Sequence, residues 1–501
     1  MIPEPAARVH HLLDRQARDR PDAPSLRETG GAGWSFAELD RASRDLATGL
    51  GLAGVRPGDR VMIACENCLE LIAALFACYR LGAVAVPVNA RLTAAEIGAI
   101  RDHARPAAIL YTARVSPDAA AHADRDRATE IRGSYGSLRL SRPGPTAPDD
   151  DPEVAVMLFT TGTTGTPKGV MLTHRNLCFA AMASVDRRQI TADDLIYGVL
   201  PISHVFGLAS IVTAAMSAGA CLWLEPRFSA ARLYDALTRG VTLFSGVPQM
   251  HALLMQYTRE QGHARLPSDT LRYVTSGGAP LDPAWKRKAE AFYGRALQNG
   301  YGLTETTAGV TVTTNALGDP DTSVGPPVMG VEIGIDETVP GGGNGMGEVL
   351  TRGPHVMKGY YRNPAETAKV LDADGWFHTG DLGRVDDRGF LHILGRSKEL
   401  IIHGGFNVYP PEVEAALNAH PQVIQCAVIG RLVGGDEQVL AFVQAAPGDL
   451  PTEADLLAFA AERLAGYKRP VRIIVATALP AAATGKILKH RLIETFADRL
   501  Q

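Results

Sequence analysis

At 501 residues, 46% hydrophobic and 21% charged, the chain has the composition of a globular protein of about two to four compact units. A formal net charge of −4 and the lack of any long basic run argue against a general nucleic-acid binder. Six scattered cysteines do not make a disulfide scaffold, and the opening Met1-Ile2-Pro3-Glu4-Pro5 lacks the basic and apolar regions of a secretory leader, so a cytoplasmic enzyme is expected.

Apolar strands alternating with helices predict a layered α/β domain: strand 60–64, helix 69–81, strand 83–88 and helix 94–103. Cys65 and Cys68 have C-x-x-C spacing, but no second pair lies at an interval that completes a zinc site, so they read as ordinary core or helix-start residues. The stretch 141–151, rich in Pro, Gly and Asp, reads as a loop rather than a domain boundary. Residues 205–224 carry no charge and reach the length of a membrane span. Gly207, Ser210, Thr213, Ser217 and Gly219 interrupt them, and Gly219 looks like a helix stop, so a buried helix followed by a buried strand is expected, with peripheral membrane contact left open. A strand is expected at 271–275 and a tight turn at 339–345 within an all-β stretch. The main boundary falls at 395–398. Beyond it the pattern predicts helix 411–419, strands 423–429 and 439–444, helix 453–465 and strand 471–475, with strand 399–402 at its start.

Chemistry concentrates in Thr160-Thr161-Gly162-Thr163-Thr164-Gly165-Thr166-Pro167-Lys168-Gly169, between an apolar strand at 154–159 and another at 170–172. Glycines let backbone N–H groups turn inward, threonines add hydroxyls, and Lys168 adds a mobile positive charge, so the loop is suited to phosphate. Thr166 and Pro167 separate Gly165 from Lys168, which breaks the G-x-x-x-x-G-K-[ST] spacing, and the glycines do not fit the dinucleotide fingerprint either.

The loop resembles the phosphate-binding signature of the acyl-adenylating superfamily: AMP-dependent acyl-CoA synthetases, luciferases and peptide-synthetase adenylation domains. Five further segments resemble that family in the same order: 200–207, 299–306, 378–381, 395–399 with Gly404-Gly405, and 484–487. The resemblance covers nearly the whole chain. It implies a large N-terminal layered α/β domain (1–396) with a β-rich subdomain, and a small mobile C-terminal α+β domain (397–501) hinged at Lys398. The implied reaction is carboxylate plus ATP to acyl-AMP and pyrophosphate, then CoA to acyl-CoA and AMP, with magnesium as the metal.

By the same resemblance, Lys168 with Thr160, Thr161, Thr163 and Thr164 holds the outer phosphates, Glu305 the magnesium, and Thr304 the α-phosphate. Gly278, Ala279 and Pro280 let the backbone approach the base. Tyr301 stacks on adenine, Asn299 accepts from its amino group, and Gly300 and Gly302 flank that turn. Asp381 and Arg396 bind the ribose. Lys486 bridges the acyl carboxylate and the nucleotide. His204 gates the path between acyl pocket and CoA tunnel, Gly404 and Gly405 line the tunnel, and Lys468 and Arg469 meet CoA phosphates.

The acyl pocket is expected to be bordered by His204, Val205, Phe206, Ser276, Gly277, Gly300, Gly302, Leu303, Ala308 and Val310, mostly small and apolar. Malonate-specific relatives carry an arginine where Gly300 stands, and amino-acid-activating relatives an aspartate near His204. An apolar monocarboxylic acid is therefore expected: a medium or long fatty acid first, an aryl or branched acid next. No carrier domain follows Gln501, which favours free CoA over a carrier protein as acceptor. A carrier-protein acceptor and a non-catalytic nucleotide-binding relative are the alternatives, and a monomer or homodimer is expected.

Overall fold

The computed structural model describes residues 8–144, 151–161, 167–278, 281–404, 406–433, 436–448, 450–481 and 487–500. Two large sheets share a common core in which the helix Leu69–Leu81 packs against strands of both. In the eight-stranded sheet, Val154–Thr161, Val84–Asn89, Arg60–Cys65 and Ala108–Tyr111 run parallel side by side. The seven-stranded sheet orders Leu297–Gln298, Tyr273–Ser276, Leu243–Gly246, Leu195–Gly198, Cys221–Leu224 and Pro24–Glu28 in parallel, with Gly33–Ser35 closing the edge. Both faces of the first sheet are covered, which explains its near-continuous apolar strands. Val61 and Ile63 enter the common core, whereas Met62 and Ala64 enter a second core behind.

The helix Leu69–Leu81 is buried around its whole circumference, as its all-round apolar sequence requires. Its two charges are matched: Glu70 accepts from Arg114 at 2.5 Å, and Arg80 meets Asp14 at 2.7 Å as well as Asp40. Cys68 caps this helix and Cys65 ends the preceding strand; all six cysteines are free, and burial pushes the Cys65 thiol up to about 12. What matters between the two cysteines is Asn67. Its amide donates to Gly198 O and Leu200 O and accepts from Ile202 N, fastening the segment that leads to His204.

The uncharged stretch after His204 is a short helix, Val205–Gly207, a π-helical turn, Leu208–Thr213, and a helix, Ala214–Ala218, that Gly219 stops at φ 76° before the strand Cys221–Leu224. No helix of the described residues is long and apolar enough to cross a membrane. The stretch after Ser141 is no domain boundary, because strands on either side of it share one sheet.

A four-stranded antiparallel sheet follows, Glu332–Asp336, Met346–Arg352, Phe377–Val385 and Leu391–Arg396. Beyond it, residues from Ile401 to Leu492 bury their apolar side chains in two clusters of their own. Two elements there differ from expectation. Glu399 lies in the 3-10 turn Ser397–Glu399, its carboxylate drawn to Lys489 at 2.7 Å, and the strand is only Ile401–His403. The helix expected to reach 465 is Glu453–Ala461, because Arg469 caps the carbonyls of Ala461 and Leu464, both at 2.9 Å.

Candidate active site

Three separate strands supply one polar ledge. Asp381 and Arg396 are cross-strand neighbours, with Nε 3.1 Å from the carboxylate, and Tyr301 donates its hydroxyl to the other carboxylate oxygen at 2.6 Å. Asp381 is only 4% exposed, and its backbone N–H rests on Thr379 Oγ1. Burial, then the Asp381 charge, push the Tyr301 hydroxyl far above a phenol's ordinary value, so it remains a donor. Beside them Asn299 is buried and donates to Ser323 O at 3.3 Å, while its Oδ1 has no hydrogen-bond partner. An orphaned buried acceptor is costly, and a donor on a ligand would satisfy it. Asn299, Tyr301, Asp381 and Arg396, expected at the nucleoside, thus lie together.

The second group lies around Lys168. The strand Pro167–Thr173 pairs with Val154–Thr161, which sets Lys168 opposite Thr160. Lys168 Nζ is 2.5 Å from Glu366 and 5.1 Å from the Tyr360 ring centre; the Tyr360 hydroxyl donates to Glu305 at 2.9 Å. Hydrogen bonds from Lys168 and then Lys369 pull the Glu366 carboxyl down to about 2. Thr304 and Glu305 open a 3-10 turn, Thr304–Thr306, followed by two left-handed residues, Thr307 at φ 49° and Ala308 at φ 76°. Thr307 Oγ1 donates to His355 O at 2.7 Å, which holds this strained pair. The return is so tight that a Cβ on Gly302 would sit 1.8 Å from Ala308 O. Tyr360 and Glu366 were not singled out from sequence, since nothing in their local pattern marks them.

On the acyl side, a Cβ on Gly277 would stand 3.0 Å from the Phe206 ring, so these two expected pocket residues touch. Gly278 takes φ 80°. Ser276 is buried at the end of its strand, with Leu303 and Ala308 half-buried nearby in sequence to Glu305. Val205 and Val310 are packed into separate apolar clusters. The space freed at Gly300 faces Thr311 O, 2.8 Å from where a Cβ would be, so this glycine serves the pairing of Gly300–Tyr301 with Thr311–Val312. His204 is exposed and caps Val205–Gly207, accepting from Phe206 N at 3.3 Å. Gly207 beneath it has no room for a side chain, 2.4 Å from Pro201 O.

In the C-terminal unit, Lys398 lies in the 3-10 turn, and Gly404, at φ 56°, donates to Asp436 at 2.9 Å. Lys468 is paired with Glu412 at 2.5 Å and Arg469 with the carbonyls of Ala461 and Leu464, so both cations have partners within this unit. Lys486, Gly162, Thr163, Thr164, Gly165, Ala279, Pro280 and Gly405, and the side chain of Thr161, lie outside the described residues.

The model of the AMP-binding enzyme family matches residues 13–361, and that of the AMP-binding enzyme C-terminal domain matches residues 412–486. The chain belongs to the AMP-binding enzyme family. This AMP-binding enzyme is 36% identical over 497 residues to a feruloyl-CoA synthase of Amycolatopsis sp, covering 96% of this chain and 98% of that one. It is 31% identical over 475 residues to the long-chain-fatty-acid–CoA ligase FadD13 of Mycobacterium tuberculosis, covering 92% and 93%. The O-succinylbenzoate coenzyme A synthetase of Bacillus subtilis, solved with ATP and a magnesium ion, superposes with a TM-score of 0.81 at 29% identity, covering 96% and 98%. The chain is an AMP-forming acid–CoA ligase, with the large and small domains of that family.

Proposed function

We propose that the enzyme activates one carboxylate of an aryl acid with ATP and passes the acyl group to free CoA. The observation that carries this reading is the ledge of Asn299, Tyr301, Asp381 and Arg396 beside the charges of Lys168 and Glu305. A carboxylate oxygen attacks the α-phosphorus, the bond to the bridging oxygen breaks, and pyrophosphate leaves with the electron pair. The CoA sulfur then attacks the acyl carbon, the bond to AMP breaks, and the thiol proton passes to solvent.

Each residue has a physical task. Asn299 Oδ1 accepts from the base, Tyr301 offers it an aromatic face, and Asp381 accepts from the ribose hydroxyls with Arg396 alongside. Lys168, the loop threonines and Thr304 neutralise and orient phosphate oxygens. Glu305 fits magnesium: it is a single half-buried carboxylate oriented by Tyr360, and no group of three candidate ligands among the described residues includes it, the donor set of an ion that takes its other oxygens from phosphate and water. When bound, the ion compensates charge on the departing pyrophosphate. We assign Lys486 to the bridge between carboxylate and nucleotide, the domain limits to 396 and 397, and the hinge to Lys398. Exposed His204 guards the thiol's approach, past Gly404 and Gly405.

The feruloyl-CoA synthase likeness favours an aryl acid. A medium or long fatty acid is the second reading, favoured by the FadD13 likeness. CoA-dependent AMP release across hydroxycinnamates, benzoates and C8 to C16 alkanoates tests the choice. Highest kcat/KM for aryl acids supports it; highest kcat/KM for alkanoates transfers the assignment to the fatty acids.

A further inference from the structure

Arg188 ends the helix His174–Arg188 and lies buried, 7% exposed, beyond Phe206 from Gly277. Its Cζ is 5.9 Å from the Phe206 ring centre and 6.0 Å from that of Tyr273, and Nη1 donates to Ser210 O at 2.8 Å. Neither Nε nor the buried Tyr273 hydroxyl completes a well-aligned hydrogen bond, although the guanidinium and the hydroxyl face each other and Thr275 adjoins the hydroxyl. No carboxylate among the described residues pairs with this guanidinium. Asp194, which borders the same region, is committed to Arg272 at 2.6 Å, to Thr242 at 2.7 Å and to Thr191 N at 2.8 Å.

A buried cation without an anion is unfavourable, and a helix C-terminus with one backbone carbonyl offsets only part of the cost. A guanidinium cannot escape by losing its proton. The carbonyl it does use belongs to the π-helical turn Leu208–Thr213, an irregularity that recurs at functional sites, three residues past Gly207. Gly277, Phe206 and Arg188 therefore succeed one another outward from the turn that adjoins the nucleotide ledge.

We propose that Arg188, with the Tyr273 hydroxyl, forms the far end of the acyl site and hydrogen-bonds an acceptor oxygen on the substrate, so that the preferred acid is an aryl acid bearing a hydroxyl or a second carboxylate opposite the activated one. This rests on the acid–CoA ligase reading above and gives it a substrate class. Phenolic and carboxylate oxygens share the required chemistry, and the test separates them.

The experiment compares kcat/KM for cinnamate, 4-hydroxycinnamate and 4-carboxycinnamate in the wild type, Arg188→Met and Tyr273→Phe, read as CoA-dependent AMP formation. The wild type is expected to prefer a substituted acid by roughly ten- to a hundredfold, as for one hydrogen bond to a charged group. Arg188→Met is expected to collapse that ratio through KM, and Tyr273→Phe to reduce it by a smaller factor. A larger loss for the 4-carboxy acid marks an anion as the natural partner, an equal loss a neutral acceptor; either supports the assignment. A parallel fall for all three acids means that Arg188 only holds the π turn and overturns it. If Arg188→Met does not melt cooperatively, the wild-type ratio and Tyr273→Phe decide. Turnover of cinnamate or alkanoates without any preference sinks the Arg188 assignment alone, whereas no turnover of any acid sinks the ligase reading with it.

Discussion

At the end of the site we assign to the nucleoside, Tyr301, Asp381 and Arg396 hold one another on paired strands and leave the Asn299 carbonyl oxygen open, whereas at the end we assign to the phosphates Lys168 and Glu305 are held by Glu366 and Tyr360. The first arrangement meets a ligand without giving up a partner. In the second, phosphate binding as proposed would have Lys168 exchange Glu366 for phosphate, its charge being held in a pair until then. On the proposed reading, recognition is prearranged at the end assigned to adenosine, and charge is kept compensated where an isolated lysine would be exposed to any anion.

The largest effect should come from Lys486, which we assign to the bridge between acid and nucleotide. Lys486→Ala is expected to lower acid-dependent adenylation by about a hundredfold or more, in the range of a removed transition-state donor, while a supplied acyl adenylate still reacts with CoA. Equal loss of both half-reactions removes Lys486 from the bridge. Next, Asp381→Asn takes the acceptor from Tyr301 and Arg396 together, and KM for ATP should rise roughly ten- to a hundredfold with a smaller change in kcat. An unchanged KM would mean that the nucleoside end is not where adenosine binds.

Glu366→Gln should do the opposite and less. Freeing Lys168 is expected to lower KM for ATP by about two- to fivefold, the scale of a solvent-screened pair. A higher KM would make Glu366 part of the binding surface rather than a competitor. The smallest change concerns acid tolerance. Burial lowers the His355 imidazole, which meets Thr351 Oγ1 at 2.9 Å, to about 4, while the His355 backbone carbonyl accepts from Thr307. Because the folded pKa lies below the ordinary imidazole value of 6.5, its contribution is complete above that value and is lost as pH falls toward 4. Melting temperature measured from pH 7 to 4.5 should fall less steeply in His355→Gln than in the wild type; identical slopes would mean that His355 does not titrate on unfolding.

Much of this was legible in the sequence because it lies in contiguous residues. The helix Leu69–Leu81 is apolar all round and is buried, and Gly219 ends its helix in the left-handed conformation expected of it. Tyr301, Asp381 and Arg396 could be grouped only through a family resemblance, since three strands separate in sequence bring them together. Asn67 was passed over between two more conspicuous cysteines, for its role depends on carbonyls more than 130 positions away. Arg188, Tyr360 and Glu366 gave no local signal: a helix-terminal arginine, a tyrosine and a helix-start glutamate are unremarkable until tertiary structure removes their solvent or supplies their partner.

Exchange of labelled pyrophosphate into ATP, driven by an aryl acid in the absence of CoA, tests the central claim most directly. Acid-dependent exchange that vanishes without acid and is weakened in Asp381→Asn is the predicted result. Release of ADP or phosphate with no exchange for any acid would contradict adenylation at this site.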